Sequence, residues 1–174
     1  MIPTINRSGW YAFFFILGLL ALLAGGFFGA ILLLFAGIPM WVALGFPVLL
    51  GGYSLAGFFS LWASYRTDAF AAVAAASPSL WFQGFMKYQR GRTPRVKVLS
   101  LSLGDREEKA RNEMMASCGN LMRQYHEQLS ERMQPGTLVL EWNPGGHFDD
   151  NAKRTARAFY LAEKMLSRNA GKAL

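Results

Sequence analysis

The fold is decided by residues 47–65, which are PVLLGGYSLAGFFSLWASY. Residues 47–50 form a short apolar run that ends at two glycines, which is typical of a buried strand. Residues 55–65 carry large apolar side chains at helical spacing and predict a helix. Ser54 lies between them. The stretch therefore predicts a strand–turn–helix unit with a serine at the turn.

Strand and helix signals alternate through the rest of the chain. The predicted elements are strands at 70–76, 95–103 and 137–142, and helices at 109–133 and after Asp149 or Asp150. The predicted apolar face of the last helix consists of Ala156, Phe159, Tyr160 and Met165. Such alternation is typical of a mainly parallel sheet with helices on its faces. The predicted fold class is α/β, with about four mainly parallel strands and flanking helices.

The segment Gly52-Tyr53-Ser54-Leu55-Ala56 matches a nucleophile elbow, with Ala56 where the common form has glycine. Small neighbours are needed because the serine backbone is forced into a strained turn between strand and helix. The Leu55 N–H at the helix start can then stabilise an oxyanion. The pattern predicts Ser54 as a nucleophile, although the same glycine-rich run could merely help another membrane helix to pack.

A histidine follows the last predicted strand, in Asn143-Pro144-Gly145-Gly146-His147. A histidine on a glycine loop past a strand end can lie over the carboxyl edge of the sheet. There His147 can accept the Ser54 proton and later deliver it to a leaving group. His126, in the middle of a predicted helix, is expected to be exposed and without a role.

Three acidic residues follow the third predicted strand: Asp105, Glu107 and Glu108. Any of them could hold the imidazole tautomer and stabilise the imidazolium. A cluster of acids at a helix start, favoured by the helix dipole, would explain two of them without chemistry. The order serine, acid, histidine is that of α/β-hydrolases.

Three segments together resemble the enterochelin-esterase-like family of α/β-hydrolases. They are GGYSLAGFFSLWASYRTDAFAAVAAASPSLWF (51–82), VLSLSLGDREEKARN (98–112) and LEWNPGGHFDDNAKRTARA (140–158). The resemblance runs from about Phe46 to the C-terminus. It implies a serine carboxylic-ester hydrolase with Ser54 as nucleophile, His147 as base and Glu107 as acid. It also implies that residues 77–81 line the mouth of the site.

The chain departs from that family before the elbow. The family has further strands and helices there, including the loop that supplies a second oxyanion donor, whereas this chain has a charge-free apolar stretch. The strand at 47–50 would then lack a neighbour on one side, and a second copy of the chain is one way to cover that edge. The alternative function is a catalytically inactive, membrane-anchored remnant or a fusion product.

Residues 10–37 are long and apolar enough to predict one or two membrane helices. Positive charge is sparse before this run and abundant after it, which places the C-terminal part in the cytoplasm. The predicted organisation is a hydrophobic segment at 1–45 and an esterase-like half-domain at 46–174. The expected localisation is the membrane.

Composition narrows the expected partners. The net charge of +7 would suit nucleic acid, but no nucleic-acid motif accompanies it. The single cysteine, Cys118, excludes an internal disulfide and favours a buried structural thiol. We therefore expect a small-molecule ester as substrate, no nucleic acid, no metal and no cofactor.

Overall fold

The computed structural model describes residues 47–171. The chain divides into two units, Met1–Phe46 and Pro47–Leu174. The predicted membrane helices and their orientation fall on residues 1–45 and lie outside the described residues. Within residues 47–171, no helix combines the length and apolarity needed to cross a bilayer.

Strands and helices alternate along the described chain. The strands are β1 (Leu49–Tyr53), β2 (Ala72–Ala76), β3 (Val98–Gly104) and β4 (Leu138–Asn143). The α-helices are α1 (Leu55–Ser64), α2 (Phe85–Gln89), α3 (Glu113–Ala116), α4 (Cys118–Ser130) and α5 (Asn151–Ala170). A short 3-10 helix, Glu107–Lys109, lies between β3 and α3.

The four strands form one parallel sheet in the order β1-β2-β3-β4. The predicted α/β class with four parallel strands and flanking helices is confirmed. Each new strand pairs with the one before it, and the sheet grows in one direction only. Right-handed crossovers therefore put the helices that connect the strands on one face of the sheet. Leu61 of α1, Phe85 of α2 and Tyr125 of α4 accordingly share one core cluster with Leu99 and its neighbours in β3.

The other face of the sheet is covered by α5. The core between the sheet and α5 consists of small side chains, including Ala74 of β2 and Ala158 and Ala162 of α5. A Cβ atom at Gly51 would lie 2.4 Å from the Ala74 carbonyl oxygen and 2.6 Å from the Phe159 ring. Glycine in β1 and alanine in β2 therefore let α5 pack close to the strands.

The sheet has two edge strands among residues 47–171, since β1 pairs there only with β2 and β4 only with β3. Three of the five residues of β2 carry core side chains on the α5 face, whereas β1 is mostly half-buried. The second copy expected to cover the β1 edge stays a prediction.

Several predicted boundaries were wrong. β1 extends through both glycines to Tyr53, because glycine is what the contact with Phe159 requires. The single helix expected at 109–133 begins only at Glu113, where the Asn112 side chain accepts a hydrogen bond from the Met115 N–H, and it is divided at Ser117 into α3 and α4. Helix α2 was not predicted, because five residues are too few to show a period.

The apolar face predicted for the last helix is also shifted. Ala156 and Tyr160 are exposed, while Ala158 and Ala162 are fully buried. Phe159 and Met165 pack against the core as expected. The alanine-rich sheet surface packs closely against the small side chains of Ala158 and Ala162, so residue volume decided the orientation rather than hydrophobicity.

Replacing Gly51 by alanine should destabilise the protein. The new methyl group would press on the Ala74 backbone, which cannot move without disturbing the β1–β2 pairing. We expect a loss of about 1–3 kcal/mol, as for other overpacked cores. Gly171→Ala is the control, because its nearest neighbour would be 3.8 Å away. Urea unfolding of the full chain measures both, and equal stabilities would contradict the packing argument.

Candidate active site

Ser54 occupies a tight turn between β1 and α1. Its backbone has φ 54° and ψ −116°, a left-handed conformation that is strained for a residue other than glycine. Its N–H donates to the Ala76 carbonyl at 3.0 Å, and its carbonyl accepts from the Phe58 N–H at 2.9 Å. The backbone on both sides thus holds the strained turn in place.

Small residues around Ser54 make this turn possible. A Cβ at Gly52 would lie 2.6 Å from the Ala56 Cβ, and one at Gly57 would lie 2.9 Å from the Gly52 carbonyl oxygen. The Ala56 methyl group packs beside Gly52, where a Cβ on residue 52 would collide with it. The departure of this chain from the common glycine pattern is therefore compatible with the turn.

His147 lies on the loop after β4, and its Nε2 is 2.9 Å from Ser54 Oγ. Three hydrogen bonds hold this loop in place. The Gly145 N–H donates to Asp105 Oδ1 at 2.9 Å, the Tyr53 hydroxyl donates to the His147 carbonyl at 2.5 Å, and Arg154 donates to the Gly146 carbonyl at 2.8 Å. The imidazole position is set by this backbone network.

Glu107 lies in the 3-10 helix after β3 and contacts the other side of the imidazole. Its Oε2 is 2.7 Å from His147 Nδ1. Its Oε1 accepts from Ser77 Oγ at 2.7 Å, from the Gly104 N–H at 2.8 Å and from Arg154 Nη2 at 2.5 Å. The side chain is 3% exposed. The structure therefore joins Ser54, His147 and Glu107 in one hydrogen-bonded chain.

The Glu107 carboxyl is ionised over the whole physiological range. Burial alone would raise its pKa, but the hydrogen bonds from His147, Ser77, Arg154 and Gly104 outweigh this and lower the pKa to about 2. An ionised carboxylate only accepts hydrogen bonds, so His147 Nδ1 must carry a proton. In the neutral imidazole Nε2 then has the free lone pair, and the Ser54 hydroxyl donates to it.

The two neighbouring acids have other partners. Asp105 accepts from the Gly145 N–H and so binds the histidine loop to the acid loop. Glu108 forms an ion pair with Arg123 at 2.8 Å on the surface. Of the three candidates that the sequence left open, Glu107 is the one in contact with His147.

Leu55 is the first residue of α1, next to Ser54. Its N–H belongs to the first turn, whose amides have no acceptor within the helix. The Ser79 hydroxyl also lies close to the candidate nucleophile, with its Oγ 3.3 Å from Ser54 Oγ. The oxyanion role of Leu55 stays a prediction.

Sequence reasoning missed Arg154 and Tyr53. It placed Ser77 in the segment 77–81 at the mouth of the site, whereas Ser77 is buried and donates to Glu107. Ser77 has φ 45° and Arg154 is 3% exposed, so both are unusual for their residue types. One signal was available for Arg154, because it precedes Ala158 and Ala162 at four-residue spacing. A cation in line with a buried alanine stripe indicates a buried partner of opposite charge.

Cys118 and His126 are separate from this chain of hydrogen bonds. Cys118 is 4% exposed, and burial raises the pKa of its thiol to about 11, so the thiolate is not formed near neutral pH. His126, expected to be exposed, is half-buried. Burial lowers the pKa of His126, and its carbonyl accepts from the Ser130 hydroxyl. Across residues 47–171 no cluster of histidine, cysteine and acidic side chains could hold a metal ion.

The chain is similar to a solved hydrolase structure. No family model and no curated protein matches the chain. Among solved structures, the siderophore hydrolase EstA from Aspergillus nidulans is 22% identical, with a TM-score of 0.48. The match covers 68% of this chain and 49% of EstA, so the chain spans about half of that protein's length. The function therefore has to be inferred from the geometry of the site itself.

Replacing Glu107 by glutamine should destabilise the fold, because it leaves the buried Arg154 charge without its anion. Removing one partner of a buried ion pair costs about 3–5 kcal/mol. Glu108→Gln, which breaks an exposed pair, should cost at most about 1 kcal/mol. Denaturant unfolding at neutral pH compares the two variants, and equal losses would contradict the assignment.

The same substitution predicts a pH dependence with a definite sign. The pKa of Glu107 is about 2 in the folded protein against an ordinary value of 4.5. Its stabilisation is therefore fully present above about pH 4.5 and is lost as the pH falls from there towards 2. The stability gap between the wild type and Glu107→Gln should narrow over that interval. A gap that stays constant down to the lower limit would count against a depressed pKa.

Proposed function

We propose that this chain is a serine carboxylic-ester hydrolase of the enterochelin-esterase-like kind, with Ser54 as nucleophile, His147 as acid and base, and Glu107 as the acid that orients it. The observation that supports this most directly is the pair of distances on the two imidazole nitrogens, 2.9 Å to Ser54 Oγ and 2.7 Å to Glu107 Oε2. A serine, a histidine and a buried carboxylate in this order are what acyl transfer at a serine requires.

The proposed reaction has two halves. Ser54 Oγ attacks the ester carbonyl carbon while its proton moves to His147 Nε2, and the Leu55 N–H stabilises the oxyanion. The alcohol then leaves with that proton, and an acyl group remains on Ser54. A water molecule attacks the acyl carbon after giving its proton to His147, and Ser54 Oγ leaves protonated as the acid is released. Glu107 stays ionised throughout and stabilises the imidazolium in both halves.

A fluorophosphonate probe, which labels activated serines, tests the nucleophile. We expect labelling of the full chain at Ser54, none in Ser54→Ala, and a rate reduced roughly 10²–10⁴-fold in His147→Ala because the general base is lost. His126→Ala is the matched control and should react like the wild type. The labelled peptide is identified by mass spectrometry.

Two outcomes would contradict the proposal. One is a folded wild-type protein that is not labelled, which would favour the inactive remnant. The other is equal labelling of Ser54→Ala, which would place the reactive group elsewhere.

The apolar side chains beside the candidate catalytic residues support a substrate with a hydrocarbon acyl group. Phe148 is 83% exposed and Leu55 is 57% exposed, and they directly follow His147 and Ser54. The Phe148 ring meets the imidazole edge to face at 5.1 Å. Trp81 and Phe82 are exposed on the segment that follows Ser79. Exposed apolar groups next to a nucleophile suit the apolar part of a ligand.

A series of 4-nitrophenyl esters measures this preference. From acetate through butyrate to octanoate we expect kcat/KM to rise roughly tenfold or more, since each buried methylene contributes about 0.8 kcal/mol. Phe148→Ser should flatten the series and leave acetate turnover nearly unchanged. Tyr160→Ser is the control, because Tyr160 is an exposed aromatic on α5 that contacts Arg157 and Lys164. A flat series in the wild type would rule out the apolar acyl group but not the esterase activity.

A further inference from the structure

Arg154 is a buried cation behind the candidate acid. It lies in the first turn of α5, and its side chain is 3% exposed. A charge in such a place is strongly unfavourable unless it is paired and hydrogen-bonded. Arg154 therefore needs specific partners, and their identity indicates its role.

The two ends of the guanidinium hold two different parts of the site. Nη2 donates to Glu107 Oε1 at 2.5 Å and to Ser77 Oγ. Nη1 donates to the Gly146 carbonyl at 2.8 Å and, more weakly, to the Asp149 carbonyl at 3.3 Å. One planar group thus binds both the acid and the backbone that directly precedes His147.

We propose that Arg154 is a positioning residue of the candidate active site, which fixes the separation of Glu107 and His147 by holding both at once. This inference rests on the proposed function. The acid and the histidine come from loops after different strands, β3 and β4, so backbone pairing alone leaves their side chains free to move. A rigid guanidinium fork can bridge them in a fixed geometry, whereas a lysine ammonium on a flexible stem acts as a point charge.

The charge of Arg154 has a second effect, on the pH dependence of the reaction. A purely structural role would not produce this effect, so it can serve as a test. Its positive charge offsets part of the Glu107 charge as felt at His147. Removing it leaves the carboxylate unopposed, which favours the imidazolium and moves the acid limb of the activity profile to higher pH. The other titratable groups around the pair are Tyr53, Cys118, Asp105 and Asp149. Of these, Tyr53 also interacts with the Arg154 charge, which lies over its ring.

The experiment compares Arg154→Met, which removes charge and fork, with Arg154→Lys, which keeps the charge alone. The readout is the rate of fluorophosphonate labelling of Ser54 in the full chain, measured against probe concentration and pH. Arg157→Met is the control, because Arg157 lies one turn further along α5 and its ion pair with Glu141 is on the surface. Circular dichroism checks that each variant is folded.

For Arg154→Met we expect the saturating rate to fall by roughly 10²-fold, the effect of misplacing a reacting group by about 1 Å, with half-saturation by the probe nearly unchanged. Its acid limb should move to higher pH. Arg154→Lys should lose rate while its acid limb stays in place, because the charge remains. Arg157→Met should behave like the wild type in both respects.

A folded Arg154→Met variant with the wild-type rate, or with a lower rate and an unmoved acid limb, overturns the inference. If Arg154→Met does not fold, Arg154→Lys decides: a wild-type rate overturns the inference, and a reduced rate with the limb in place supports it. The proposed function fails separately, when the wild-type chain shows no labelling that depends on Ser54.

Discussion

A carboxylate that is almost removed from water must have its charge compensated by nearby donors, and Glu107 is that group in this protein. Its two oxygens accept from a serine, a backbone amide, an arginine and the histidine. These donors come from the segment after β2, the last residue of β3, the loop after β4 and α5. The loops at the carboxyl edge of the sheet are thus held together around one negative charge, and the geometry of the site depends on it.

The sheet topology is what brings these loops together. In a parallel sheet every strand ends at the same edge, and here the strands follow one another in chain order. Ser54 follows β1, Ser77 follows β2, Glu107 follows β3 and His147 follows β4. Each strand is therefore followed by a polar side chain at the same edge of the sheet. The loop after β4 places His147 between Ser54 and Glu107, so the order of groups in the hydrogen-bonded chain differs from their order in the sequence.

Much of this could be predicted from the sequence, since strand–helix alternation and the placement of polar residues after strands are local signals. The parallel sheet and the positions of Ser54 and His147 relative to it follow from such signals. The choice among Asp105, Glu107 and Glu108 does not, because it depends on which side chain a 3-10 helix turns inward. Arg154 was missed for a similar reason, since its partners are far away in sequence and its burial comes from the packing of a helix on the far face of the sheet. Local sequence patterns also gave the wrong result where side-chain volume decides the packing, as in the face of α5 that contacts the strands.

The docking of α5 couples the core to the candidate site. The helix lies close to the sheet because the strands present glycine and alanine, with Gly51 leaving no room for even a methyl group. Close docking is also what brings the Arg154 guanidinium, one turn before Ala158 on the same helix face, within hydrogen-bond distance of Glu107. A larger side chain under the helix would therefore have two effects. It would strain the core, and it would move the Arg154 guanidinium away from the buried Glu107 carboxylate. For this reason the small residues of β1 and β2 belong to the requirements of the site as much as to those of the fold.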